Sequence, residues 1–160
     1  MAIPGNMWLF DDGGALIKGG CDVQHREYSI EFKGFHHNLS TPTDNPTGQP
    51  TGKRIHPPMM IVQESDHSSP YLYKAVATGQ ALQKAELKFY KINDAGLEAE
   101  YFNILLEGVR IVSVSPAMAA PGDNNNNHLE TVELRYEKIT WKHNDGNIIF
   151  SDAWNERATA

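Results

Sequence analysis

"VELRYEKITWKH", residues 132 to 143, reads as a strand that loses its phase part-way along. Val132, Leu134 and Tyr136 alternate with Glu133, Arg135 and Glu137, which gives an extended chain one apolar and one charged face. Ile139 and Trp141 are apolar as well, yet they fall on the parity of the charges. Two readings satisfy this pattern. Either a bulge re-phases the strand at Glu137–Lys138, or both faces are covered, with Ile139 and Trp141 under a helix or against a second subunit.

The same alternation runs through the rest of the chain. "MWLF" leads into the turn "DDGG", and "YSIEFKGF" places Tyr28, Ile30 and Phe32 on one face, with Phe35 out of phase after Gly34. "PPMMIV" is a short apolar run, "AELKFYKI" a strand, and "NDAG" a hairpin turn. "LEAEYFNILLEGVRIVSV" is too long for one straight strand, and Gly108 marks a bend or bulge within it. "ETVELRYEKITWKH" and "NIIFSDAW" are joined by "NDG", a hairpin signal. Seven or more strands with short turns predict a mainly β protein, a barrel or a sandwich. One segment reads as a helix: in "SSPYLYKAVATGQ", Ser69 is the expected N-cap, Pro70 the first helical residue and Gly79 the stop. Leu72, Ala75, Val76 and Gly79 form its stripe. Two stretches read as loops, residues 38–54 and 115–127, the first rich in Pro and Thr with almost nothing to bury.

At 160 residues the chain has the length of one domain, 1–160, which buries roughly 68–70% of its unfolded surface without staples. With 40% hydrophobic and 21% charged residues the composition is that of a globular protein. A net charge of −6 argues against a nucleic-acid partner, whose phosphates are met by Lys and Arg. Cys21 is the single cysteine, so no internal disulfide forms, which suits a reducing cytoplasm. The start "MAIPGNMWLFDDGG" has neither a basic n-region nor an apolar run, and no stretch approaches 18 apolar residues. Export would then have to proceed folded, by a route that reads no N-terminal signal, and no membrane insertion is expected.

The chemistry-bearing residues do not converge on a motif. His36 and His37 are adjacent, so in a strand they point to opposite faces. Glu64, Asp66 and His67, with His56 upstream, lack any known ligand spacing and read as polar linker residues before the helix. Cys21 has no basic neighbour to lower its pKa. Glu98 and Glu100 share a strand face beside Glu86, and this reads as a solvated face rather than a carboxylate pair for hydrolysis. No catalytic residue, metal or cofactor is expected. In "YFNILLEGVRIV", by contrast, Phe102, Ile104 and Leu106 point one way while Tyr101, Leu105, Val109 and Ile111 point the other. A closed barrel buries only its inside, so an apolar outer face must be covered by the helix, a loop or another subunit, and one short helix beside so much apolar strand favours an assembling β protein.

Longer blocks carry a resemblance. "WLFDDGGALIKGGCDV", "PTDNPTG" through "TGKRIH", "SSPYLYKAV", "KINDAGLEAEYFN", "HLETVELRYEKITW" and "DGNIIFSDAWNER" follow one another as in the haemolysin-coregulated protein (Hcp) family. That family forms the tube of bacterial type VI secretion systems. The likeness runs nearly end to end and departs at "YSIEFKGFHHN" and "AMAAPGDNNNN". It implies a β-barrel of two packed antiparallel sheets with one short α-helix and a long extended loop. It also implies a ring of six copies, stacked rings, and partners in the spike protein, the contractile sheath and effector proteins carried in the lumen. The expected location is the cytoplasm before firing, then outside the cell without a signal peptide. The loop Leu39 to Arg54 matches the family's extended loop, which marks Thr43, Asp44, Asn45, Thr47, Gly48 and Arg54 as expected assembly contacts, with Trp141 as a further interface residue. His36 and His37 are candidates to face the lumen. Two other readings make separate predictions. A monomeric ligand-binding barrel requires a closed pocket lined by the aromatics, and a hydrolase requires Glu98, Glu100, Asp66 or His67 in a working cluster.

Overall fold

The computed structural model describes residues 3–118 and 128–153. Its elements are β1 (Gly5–Phe10), β2 (Leu16–Ile17), β3 (Ile30–His36), β4 (Met59–Glu64), α1 (Ser69–Thr78), β5 (Leu82–Ile92), β6 (Glu98–Met118), β7 (His128–Arg135), β8 (Lys138–His143) and β9 (Ile148–Ala153). All pairings are antiparallel. β1 pairs with β3, β3 with β4, β4 with β7, β7 with β6, β6 with β5, and β5 with β1, which closes a barrel. The expected barrel is therefore present, with its two walls joined in one hydrogen-bonded sheet. The 21-residue β6 does the joining: its first half lies between β5 and β8, and its second half runs beside β7. β8 and β9 continue the sheet beyond the barrel as a wing.

The phase slip in residues 132–143 is a corner shared by two strands. Arg110 pairs with Arg135 and Glu107 with Lys138, so the register is unchanged across the break. Yet the buried parity changes in both strands at once. On β6 the buried residues are Ile104 and Leu106, then Val109 and Ile111; on the facing chain they are Val132, Leu134 and Tyr136, then Ile139. Each strand carries one extra residue at the same level, which turns the sheet without sliding one strand along the other. Gly108 supplies the turn with a left-handed φ of 64°, and Glu137 N–H donates to Glu107 O at 2.9 Å. A bulge thus wins over a covered second face. Ile139 is core, and Val109 and Ile111 belong to the same core as Leu106. The two-faced reading of "YFNILLEGVRIV" is corrected accordingly: past Gly108 its apolar residues return inward, which leaves Tyr101 and Leu105 half-buried on the other face.

The interior is packed solid with Met7, Leu9, Ile30, Met59, Ile61, Leu87 and Leu134, all fully buried. An aromatic cleft of about 480 Å³, lined by Phe32, Phe35, Phe89, Tyr90 and Tyr101, is open to solvent, so it is not the closed pocket that a ligand-binding barrel requires. A cleft of about 720 Å³ lies outside the barrel, between the segment from Leu16 to Asp22 and α1. Phe35 falls out of phase because the β3–β4 register shifts between Phe32 and Gly34, and it packs edge-on against Phe89. Tyr28, expected on the core face, precedes β3 in a left-handed conformation and is exposed. Of the second expected loop, residues 115–118 are strand, and the remainder, 119–127, lies outside the described residues.

α1 packs Leu72 and Ala75 on the barrel and leaves Val76 at the surface. Its N-cap is Ser68, one residue before the expected Ser69. Ser69 instead turns its hydroxyl inward, donating to Glu130 Oε2 at 2.9 Å. Gln63 Nε2 donates to the same oxygen at 3.1 Å, and Glu130 is only 1% exposed. The helix is thus tied to β4 and β7 through a buried carboxylate. At its end, Gly79 at φ 66° and the bonds Gly79 N–H to Val76 O and Gln80 N–H to Ala75 O form a Schellman stop.

Candidate assembly site

Residues 38–54 form an arm that pairs with itself. Ile55 N–H donates to Ser40 O at 2.7 Å and Thr51 N–H to Pro42 O at 2.8 Å, with antiparallel bridges Ser40–Ile55 and Thr43–Pro50. At the tip, Asp44 N–H donates to Gln49 O at 2.8 Å, and Gly48, at φ 72°, donates to Asp44 O at 2.6 Å. The Thr47 hydroxyl donates to Asp44 Oδ2 at 2.8 Å. Much of the arm's backbone is therefore satisfied internally, so it is a braced hairpin that presents side chains. Thr43, Asn45, Thr47 and Gly48 are exposed on it, while Asp44 is its internal brace.

The arm's root is held by a chain of polar contacts that local sequence did not announce. Arg54 Nε donates to Asp152 Oδ2 at 2.5 Å and Arg54 Nη2 to Ala153 O at 2.6 Å. Asp152 Oδ2 is also 2.8 Å from His56 Nε2, whose Nδ1 is 2.6 Å from the Tyr136 hydroxyl. His37 Nε2 reaches that same hydroxyl at 2.8 Å. A carboxylate only accepts, so His56 Nε2 carries a hydrogen, and the Tyr136 hydroxyl is shared between His56 Nδ1 and His37 Nε2. This clasp joins the end of β3, the arm, the β7–β8 corner and β9. Its charges shift accordingly. Burial would raise Asp152, but hydrogen bonds from Arg54 and His56 outweigh that and hold it below the usual carboxylate value. Burial, with His56 and His36 nearby, lowers His37, and burial followed by the Asp152 charge raises Tyr136. The order Asp152–His56–Tyr136 resembles an orienter, base and nucleophile, but Tyr136 is only 4% exposed.

β9 is the edge of the wing. Among the described residues it pairs with β8 alone, and Ile148, Ile149 and Phe150 are 69%, 58% and 64% exposed. Trp141 lies half-buried behind it, packed against the core and stacked on Phe150 with ring centroids 6.0 Å apart. An apolar strand edge with open hydrogen-bonding groups is a surface that calls for a partner.

The remaining sequence candidates stay apart. Glu98 is paired with Arg26 at 2.6 Å, and Asn103 Nδ2 bridges Glu86 and Glu100 at 3.3 and 3.1 Å. Asp66 accepts from Gly20 N–H and Ser68 N–H, while His67 is exposed. Cys21 is buried beside Asn6. Among the described residues, no three His, Cys, Asp or Glu side chains are placed to hold a metal ion. No described helix is long and apolar enough to cross a membrane.

The family described as "Type VI secretion system effector, Hcp" matches residues 6–143. The "Major exported protein" of Pseudomonas aeruginosa is 37% identical over 96% of this chain and 96% of its own length. The chain belongs to the Hcp family. Among solved structures, a double variant of the Hcp1 protein from E. coli EAEC 042 is 62% identical, with a TM-score of 0.88 over 96% of this chain and 99% of that one. The secreted protein Hcp3 from Pseudomonas aeruginosa is 28% identical, with a TM-score of 0.77 over 95% of this chain and 100% of that one. As an Hcp, the chain is a type VI secretion tube protein, structural and secreted, and not an enzyme. In this Hcp, Arg54 and His37 take part in the clasp within the subunit, and His36 stands exposed at the end of β3.

Proposed function

We propose that this Hcp assembles six to a ring and that the rings stack into the tube of a type VI apparatus, which is fired with the spike from inside the contractile sheath and carries small effectors in its lumen. The observation that carries this reading is the β9 edge, where three consecutive exposed apolar residues lie on a strand that, among the described residues, pairs with β8 alone. The edge seats a neighbouring copy, with Trp141 backing it through Phe150. The arm, through Thr43, Asn45, Thr47 and Gly48, reaches the next subunit or ring, with Asp44 keeping its shape and Arg54 fixing its root. His36 faces the lumen. The subunit waits in the cytoplasm and leaves the cell folded, when the apparatus fires.

Light scattering across a concentration series, with negative-stain imaging, tests the reading. A six-fold ring with an open pore is expected, and a strict monomer at high concentration overturns it. Ile149→Glu is expected to abolish rings while leaving the subunit's unfolding midpoint unchanged. Deletion of residues 42–50 is expected to leave rings that do not stack, and loss of the ring itself would move the arm's contact from stacking to ring closure.

A further inference from the structure

We propose that the cleft beside α1 is the socket for the arm of a second copy, so that subunits join head to tail along the stack. The inference rests on the stacking proposed above and names the surface that receives the arm. Position carries the argument. β3 is antiparallel to both β1 and β4, and β5 is antiparallel to β1. The end of β1, the start of β3, the end of β4 and the start of β5 therefore lie at one end of the barrel. Asp11, Tyr28, His67 and Gln80, which line the cleft, each adjoin one of those four strand ends. The arm links the end of β3 to the start of β4, so it leaves from the opposite end. A protrusion at one end and a recess at the other make a heterologous contact, which propagates as a filament where the rotation does not close.

Both partners are preformed. Gly20 N–H donates to Asp66 Oδ2 at 3.1 Å and Ser68 N–H to Asp66 Oδ1 at 2.8 Å, which ties the segment from Leu16 to Asp22 to the start of α1. Tyr28 sits at φ 65°, which a bulky residue rarely adopts. Its N–H donates to Cys21 O and its carbonyl accepts from Gly19 N–H, both at 2.9 Å, so this wall is pinned from two sides. Its exposed ring carries Lys18 Nζ at 4.8 Å from the centroid. Tyr71, also exposed, lines the α1 side, and Leu16 and Ile17 add apolar lining. The arm's tip matches these surfaces. Pro46 is exposed there, and a rigid pyrrolidine ring lies well on tyrosine faces. Asp44 is the one charged residue in 38–52, and Lys18 and Lys74 line the two sides of the cleft as its counterparts. Asp11 and Asp22 share that lining, so the lysines fix register more than they add affinity. The hairpin is already bonded to itself, so it loses little freedom on docking.

The test links the two surfaces covalently in the full chain, in a Cys21→Ser background. Asn45→Cys on the arm, combined with Tyr71→Cys at the cleft, is expected to give a ladder of multimers that passes six when treated with a short bismaleimide. Asn45→Cys combined with Val112→Cys, exposed on β6, is expected to give at most a tenth of that yield. Equal yields at the two positions overturn the socket. A ladder that stops at six also overturns it, because the arm would then reach a neighbour within the ring. Tyr71→Glu leaves the core untouched and is expected to keep the urea midpoint and the rings while abolishing stacks; unchanged stacking overturns the proposal. If scattering shows no assembly at all, the ring reading fails by itself. The socket is then decided by mixing singly substituted Asn45→Cys and Tyr71→Cys chains at the highest concentration, where linking between them supports it and no linking overturns it.

Discussion

Gly108→Ala probes the corner on which the fold turns. The native φ of 64° lies in the left-handed region, which costs an L-residue roughly 1–2 kcal/mol. An added Cβ would also stand 2.8 Å from Glu137 Oε2 and 2.9 Å from its Cγ. Glu137 is exposed and its side chain can swing aside, so most of the penalty falls on the backbone. The expected loss is about 1–2 kcal/mol, or about 0.5–1 M in urea midpoint for a slope of about 2 kcal/mol/M. The measurement is urea unfolding at a concentration where scattering shows one species, repeated in a Glu137→Ala background. If the strain is in the backbone, both backgrounds give the same loss. A loss that disappears with Glu137→Ala would locate the cost in side-chain crowding. A loss below about 0.5 kcal/mol in both would refute the paired-bulge account of the corner.

Asp152→Asn is expected to cost about 2–3 kcal/mol at pH 7, since it removes the charge from hydrogen bonds to Arg54 and His56. Because the folded carboxyl sits below its ordinary value of 3.8, its contribution is present above that pH and fades as pH falls through the folded value. The variant and parent should therefore draw together as pH falls below 3.8, and a gap that does not narrow there would exclude the charge as the cause. Trp141→Ser is expected to lower the subunit's own stability by about 2 kcal/mol, less than a fully buried tryptophan would, because the ring packs on the core while stacked on exposed Phe150. An unchanged unfolding midpoint with lost assembly would make Trp141 an interface residue alone.

How much the sequence disclosed depended on whether the relevant contact was local. The turns after Phe10, Ile92 and His143 were legible because Asp11, Asn93 and the Gly146 backbone act within a few residues. Gly108 was legible as a bend, but not the compensating change opposite it, so Val109 and Ile111 were assigned outward. Parity counting along one strand cannot register an insertion shared by two. Glu130 could have been found, since it shares the inward parity of Val132 and Leu134, and a buried carboxylate there demands donors such as Ser69 and Gln63. The clasp had no such signal. His56, Tyr136 and Asp152 meet across sequence separations of 80 and 96 residues, and only closure of the barrel and wing brings them together.

That separation has a consequence in time. Arg54 precedes its anchoring carboxylate, Asp152, by 98 residues, so during synthesis the arm leaves the ribosome about 5–20 seconds before its root can be fixed. Throughout that interval the nascent chain carries a hairpin that can fold on itself but points in no settled direction. The last described strand is what gives it one, so a subunit acquires a correctly aimed arm only after β9 has been made.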